Sequence, residues 1–217
     1  MPLKNKHCLD WKLYCITSAE LSAGRSLEWV VEQAILGGAD VIQWREKKML
    51  DRMYVEKAKA LHAITSRYRI PLIINDRIAV AKEVAAEGIH LGQEDASLEE
   101  ARRILGETAI IGRSTHTPEQ AMTAEKQGFD YIGVGPVFAT PTKPTYNPVG
   151  LELVRFAAKN IRIPFVAIGG VDSKNVGQVI DAGARAVAVV RAVMASADPK
   201  NEAEKLCLIL KPTQKKS

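Results

Sequence analysis

Three cysteines in 217 residues, Cys8, Cys15 and Cys207, are an odd number without a CxxC spacing. Neither a disulfide framework nor a thiolate zinc site is suggested by them, and small buried or surface thiols are expected. Aromatic residues make up only 6% of the chain. With no basic stripe to accompany them, a nucleic-acid surface built on stacking and phosphate contacts is not expected. No apolar run approaches the roughly 20 residues that span a bilayer, and the opening "MPLKNKHCLDWK" lacks the apolar core of a secretory signal. A cytoplasmic setting with no membrane partner is therefore expected. The formal net charge of +5 resides in the tails. Lys4, Lys6 and Lys12 outweigh Asp10, Lys211, Lys215 and Lys216 supply the rest, and residues 13–210 are neutral. The ends near 1–10 and 211–217 are expected to be solvated and poorly ordered, around a single domain spanning 1–217.

What the chain does have is a repeating grammar. Short β-rich apolar runs occur at 13–17, 41–46, 71–76, 88–92, 109–115, 131–137, 164–170 and 186–193, with amphipathic helical segments between them. Ser26, Ser97, Thr117 with Pro118, and Ser173 stand where helices should start. The phrases "GGADVIQ", "AEGIHLG", "QGFDYIG" and "AGARAVAV" recur where helices should end, each with a glycine suited to a left-handed cap before the next strand. Eight βα units in about 200 residues predict an α/β fold, a single closed (β/α)8 barrel of TIM type with a phosphate-binding C-terminal rim. An open doubly wound sheet is the alternative.

In such a barrel the chemistry sits where the strands end. In "VIQWREKK" the two-residue alternation of a strand places Gln43, Arg45 and Lys47 on one face and Trp44 and Glu46 on the other. Together with Lys143 they would give the rim a cationic half suited to an anion of several charges. Asp76 and Asp95 follow neighbouring strands, and two carboxylates facing one mouth suit Mg2+, a hard ion completed by water and substrate phosphate. The other readings are a helix cap for either aspartate and internal ion pairs with Glu46, Asp76 or Asp95 for the cations. A second anion site is written as "AIGG" and "VVRA" at the ends of the last two strands, where backbone amides grip phosphate in many barrels. Thr140 and Thr142 adjoin it on a proline-rich loop. His90 and His116 form no triad or zinc cluster, and no general base is assigned to them.

These motifs, "QWREK", "IINDR", "GIHLGQED", "GRSTH", "GVGPVFATPTKP" and "VAIGG", stand in the order found in the thiamine-phosphate synthase family, which the chain resembles from "LYCIT" to "AVVRAV". The resemblance implies a transferase of thiamine biosynthesis. It would join 4-amino-2-methyl-5-hydroxymethylpyrimidine diphosphate to a thiazole phosphate and release pyrophosphate in a magnesium-dependent, dissociative substitution. It also implies that Gln43, Trp44, Arg45, Glu46, Lys47, Asn75, Ser114 and Lys143 hold the pyrimidine diphosphate and that Asp76 and Asp95 bind Mg2+. Thr140, Pro141, Thr142, Gly170, Val190 and Arg191 would hold the thiazole phosphate, while Arg45, Lys47 and Lys143 stabilise the leaving group. Two residues depart from the family pattern: Arg191 stands where many members have serine, and Arg113 where a small apolar residue precedes "STH". A thiazole tautomerase of the same kin and a non-catalytic phosphate-binding barrel are the rival readings, and association into a homo-oligomer stays open.

Overall fold

A computed structural model describes residues 10–47, 49–140 and 147–211. The expectations for Cys8, the two tails, Pro141, Thr142 and Lys143 fall wholly or largely outside those residues. In chain order the elements are β1 (Leu13–Ile16), α1 (Leu27–Leu36), β2 (Val41–Trp44), α2 (Asp51–Tyr68), β3 (Leu72–Asn75), α3 (Ile78–Glu83), β4 (Gly88–Leu91) and α4 (Leu98–Leu105). They continue with β5 (Ile110–Thr115), α5 (Pro118–Gln127), β6 (Tyr131–Val134), α6 (Gly150–Asn160), β7 (Phe165–Ile168), α7 (Val176–Asp181), β8 (Val187–Val189), α8 (Arg191–Met194) and α9 (Pro199–Leu210). Each strand pairs in parallel with the next, and β8 pairs back onto β1. The barrel is therefore closed, and the open sheet is excluded. No helix among the described residues is long and apolar enough to cross a membrane.

Alternation along the strands builds two cores. Tyr14, Ile16, Val41, Ile73, Ile110, Tyr131, Val166 and Ala188 point inward and fill the barrel. Their neighbours, among them Leu13, Ile42, Trp44, Leu72, Ile74, Ile89, Ile111, Val134 and Val187, point outward and pack beneath the helices. Gly112 belongs to the inner set, and a Cβ there would lie 2.1 Å from the Tyr131 ring. Its missing side chain is the space the phenol occupies.

The helix starts follow the expected chemistry at three places. Ser26, Ser97 and Thr117 accept from the amides of Trp29, Glu100 and Gln120. Ser173 does not cap α7: the helix begins at Val176, and Asp172 accepts from the Lys174 and Asn175 amides instead. Gly128 takes the expected left-handed cap, whereas Gly88 is already the first residue of β4. The eighth apolar run is shorter as a strand than its sequence suggests, because "RAVM" turns at once into α8.

The recurrent phrases at the helix ends have a second role, at the barrel floor. Asp40, just before β2, accepts from the amides of Lys12 and Leu13. Glu87, just before β4, accepts from Leu72. Asp130, just before β6, accepts from Ile111 at 2.7 Å and pairs with Arg102 at 2.7 Å. In each case an acid preceding one strand fastens the start of the strand before it, satisfying amides that enter the sheet without a ladder partner. Asp130 and Arg102 are largely buried. Asp130→Ala is therefore expected to lower stability by about 2–4 kcal/mol in urea titrations, since it strands a buried cation and an amide. Asp130→Asn, which keeps an acceptor for Ile111, should cost clearly less.

Candidate active site

The inward parity that fills the barrel continues to its upper rim, where polar residues replace apolar ones. Gln43 follows Val41 and Arg45 follows Gln43, Asn75 follows Ile73, His90 follows Gly88 and Ser114 follows Gly112, each two residues on. All of them line a cavity of about 320 Å³ at the C-terminal ends of the strands. Its other wall is made by Thr140, Gly169, Gly170, Val190, Arg191 and Ala192. Gln43 and Arg45, expected at one anion site, and Thr140, Gly170, Val190 and Arg191, expected at the other, thus line a single cavity. Gly169 and Gly170 have φ of +104° and +64°, and a Cβ on Gly169 would lie 2.4 Å from Pro136. Both the left-handed backbone and the close approach of the β6 loop require glycine there.

Asp76 and Asp95 are not among the residues that line this cavity; Asp76 adjoins it through Arg45, a lining residue whose charge acts on it. Asp76 follows β3 with φ of +62°, and its amide donates to the His90 carbonyl. That left-handed turn is uncommon for a residue with a side chain and is best tolerated by Asp and Asn. Asp95 lies in the loop after β4 and accepts from the Gly92 amide at 2.6 Å. The Asp76 carboxyl is pushed up to about 6, first by burial and then by its hydrogen bond to Asp95 and that group's charge, while Lys47 and Arg45 pull it down. Two acids and two cations therefore feel one another at this corner. The donors Asp76 and Asp95 offer only oxygen, and among the described residues no group of three or more His, Cys, Asp or Glu gathers into a denser metal cluster. Paired carboxylates of this kind fit Mg2+, which retains water and substrate oxygens among its ligands.

Several residues behave differently from a simple reading of the motif. Trp44 is fully buried on the outer face, where its indole donates to the Tyr54 carbonyl and the Tyr54 hydroxyl donates back to the Trp44 carbonyl. Its side chain locks β2 to α2 and does not reach the cavity. Glu46 and the exposed Lys47 are likewise absent from the cavity wall. Arg113 points outward from β5, donating to the carbonyls of Gln93 at 3.0 Å and Ala96 at 3.3 Å with its guanidinium over Phe129. This departure from the family pattern braces the loop that carries Asp95, on the side away from the cavity. Arg191 is exposed and on the cavity wall.

Tyr14, Tyr131 and Trp11 went unread in the sequence. Tyr14 and Tyr131 meet at 2.9 Å across the barrel, and Trp11 sits edge-on to both rings. Tyr14 lies on β1 and Tyr131 on β6, so alternation along β2 or β5 says nothing of either, and only the closed barrel brings them together.

A family model described as thiamine monophosphate synthase matches residues 13–193. The chain belongs to that family. It is 50% identical over 202 residues to the thiamine-phosphate synthase of Halalkalibacterium halodurans, covering 93% of this chain and 96% of that one. Against the thiamine-phosphate synthase of Chloroflexus aurantiacus it is 45% identical over 212 residues, covering 97% and 98%. A solved thiamine phosphate pyrophosphorylase from Pyrococcus furiosus superposes with a TM-score of 0.85 at 36% identity, covering 94% of this chain and 96% of that one. The activity is accordingly that of a transferase making thiamine phosphate, on the barrel the sequence predicted.

The raised Asp76 carboxyl has a consequence for the metal-free thiamine-phosphate synthase fold. Because the folded value lies above that of an unfolded aspartate, the native state holds the extra proton, and this stabilising contribution is complete below about pH 4. It is lost as pH rises through about 6. Asp76→Asn, which keeps the left-handed turn and removes the ionisation, should melt higher than the parent at pH 8 in EDTA. The gain is on the order of 1 kcal/mol after solvent screening and should shrink at pH 5. Thermal melts at the two pH values measure it, and equal gains at both would refute the assignment.

Proposed function

We propose that this synthase binds its pyrimidine diphosphate and thiazole phosphate at opposite walls of the one cavity and joins them by a dissociative substitution assisted by Mg2+. The observation that carries this reading is the corner where Arg45, Lys47, Asp76 and Asp95 act on one another beside the cavity. Asp76 and Asp95 would hold the ion, which when bound would supply positive charge to the leaving diphosphate. Arg45 offers a fork and Lys47 a point charge to the same oxygens, with Lys143 assigned to them by the family pattern. Gln43, Asn75 and Ser114 surround the place of the pyrimidine ring, and Thr140, Gly170, Val190 and Arg191 that of the thiazole phosphate.

The bond changes fit a site without an assigned base. The C–O bond between the pyrimidine methylene and diphosphate breaks with its electron pair leaving on pyrophosphate, and the resulting cation is stabilised by the ring's own amino group. The thiazole nitrogen lone pair then forms the C–N bond, and no proton has to be removed from either partner. What the chain's residues do is neutralise the leaving oxygens and hold the nucleophile in line, the terms that dominate such reactions. A cytoplasmic setting accords with this chemistry and with substrates that are free phosphorylated metabolites.

Two measurements test it. Pyrophosphate release should require both substrates and Mg2+ and stop in EDTA; isomerisation of a thiazole without condensation would instead support the tautomerase reading. Arg45→Ala should lower kcat/KM for the pyrimidine diphosphate by about 10- to 100-fold while shifting KM for the thiazole phosphate by less than about threefold. Equal losses for both substrates would remove Arg45 from the diphosphate clamp.

A further inference from the structure

Beneath the cavity runs an unbroken chain of buried polar side chains. The Gln43 amide Nε2 donates to the Tyr14 hydroxyl at 2.9 Å, and that hydroxyl meets the Tyr131 hydroxyl at 2.9 Å. Tyr131 meets His90 Nδ1 at 3.0 Å, and His90 Nε2 meets Ser114 Oγ at 2.9 Å. Gln43, Tyr14 and Tyr131 are at most 2% exposed and His90 9%, with Trp11 closing the floor under both phenols. Both ends of the chain, Gln43 and Ser114, lie on the cavity wall.

We propose that Tyr14, Tyr131 and His90 form a directional relay that holds His90 as its Nε2–H tautomer and thereby makes Ser114 a hydrogen-bond donor toward the substrate ring. Each hydroxyl has one hydrogen to give. Tyr14 receives from Gln43, so its own hydrogen goes to Tyr131. Tyr131 then gives its hydrogen to His90 Nδ1. A ring nitrogen that accepts carries no hydrogen, so the imidazole proton stands on Nε2 and is given to Ser114 Oγ. The Ser114 hydrogen is thus turned away from His90, and Gln43, its Nε2 engaged below, presents its carbonyl oxygen above.

Mixed polarity would set two hydrogens or two lone pairs against each other inside the barrel, at a cost of about 1–3 kcal/mol for a buried unsatisfied group. The chain therefore reverses as a whole or not at all, and its two ends are read together. Resting on the proposed placement of the pyrimidine, this relay selects a ring edge with an acceptor at Ser114 and a donor at Gln43. An aminopyrimidine has that edge, with its ring nitrogen beside its amino group. Tyr131 and His90 are positioning residues in this scheme, acting through Ser114.

Long-range ¹H–¹⁵N correlation on protein labelled in histidine tests the relay directly, with the His90 signals identified by their loss in His90→Gln. The expected wild-type pattern is a protonated Nε2 and an unprotonated Nδ1; a proton on Nδ1 overturns the relay even if turnover is intact. Tyr131→Phe should populate both tautomers and raise KM for the pyrimidine diphosphate about tenfold while KM for the thiazole phosphate stays within about twofold. His90→Gln, which keeps an N–H near Nε2, should recover most of the affinity lost in His90→Leu. A tautomer and KM unchanged by Tyr131→Phe would also overturn it. Failure of the wild type to condense the two substrates would count against the placement of the pyrimidine, and the tautomer pattern of the free protein would still decide the relay.

Discussion

Everything in this molecule depends on the parity of side chains along eight parallel strands closed in register. Once β8 pairs with β1, an inward residue has no second choice of neighbour: it meets the inward residues of the facing strands. That single constraint assigns Trp44 to the helices and Gln43 and Arg45 to the interior, although the three are consecutive. It also turns a sequence gap at Gly112 into room for a phenol donated by the next strand. Residues far apart in the chain become one polar layer because they occupy the same height on different strands, and the cavity above inherits its lining from that layer.

Much of this was legible from the residues alone, for reasons that are local. Alternation within "VIQWREKK" needs only one strand, and Asp76 and Asp95 could be paired because neighbouring βα units end at one rim. What the sequence did not disclose requires knowledge of heights and facing partners. Tyr14 and Tyr131 are separated by 117 positions, and nothing in either strand announces the other. Asp40, Glu87 and Asp130 were read only as parts of a turn phrase, since an acid that fastens the strand behind it looks the same in sequence as one that ends a helix. Ser173 misled in the same way: a serine before an apolar stretch resembles a cap, but the Asp172 turn delays the helix to Val176. Arg113 could not be assigned a side from the motif, and its outward direction follows from its place between inward Gly112 and Ser114.

The corner of Asp76 carries a local cost that the proposed metal role would explain. Partial burial and a second acid within hydrogen-bonding reach disfavour the ionised carboxylate in the free protein, on a left-handed turn that is itself uncommon for a residue with a side chain. The closeness of the two acids becomes tolerable if a cation is to be captured there, because it makes two oxygens available to one ion. The cationic neighbours Arg45 and Lys47 moderate the repulsion but do not abolish it. The cost is confined to one turn of chain, on a scaffold whose strands are buried on both faces.

The acids at the barrel floor give that scaffold a further property. Asp40, Glu87 and Asp130 secure strand starts at one end, whereas Arg45, Asp76, Asp95 and Ser114 occupy the other, with the filled interior between. Perturbations at the two ends share no hydrogen-bonding partner among the contacts described, so their energetic effects should add rather than couple. Sequence change can then accumulate at the rim, altering what the cavity accepts, while the fastening at the floor keeps the same stability margin. The two faces of the barrel are in this sense separately heritable, one for keeping shape and one for choosing substrates.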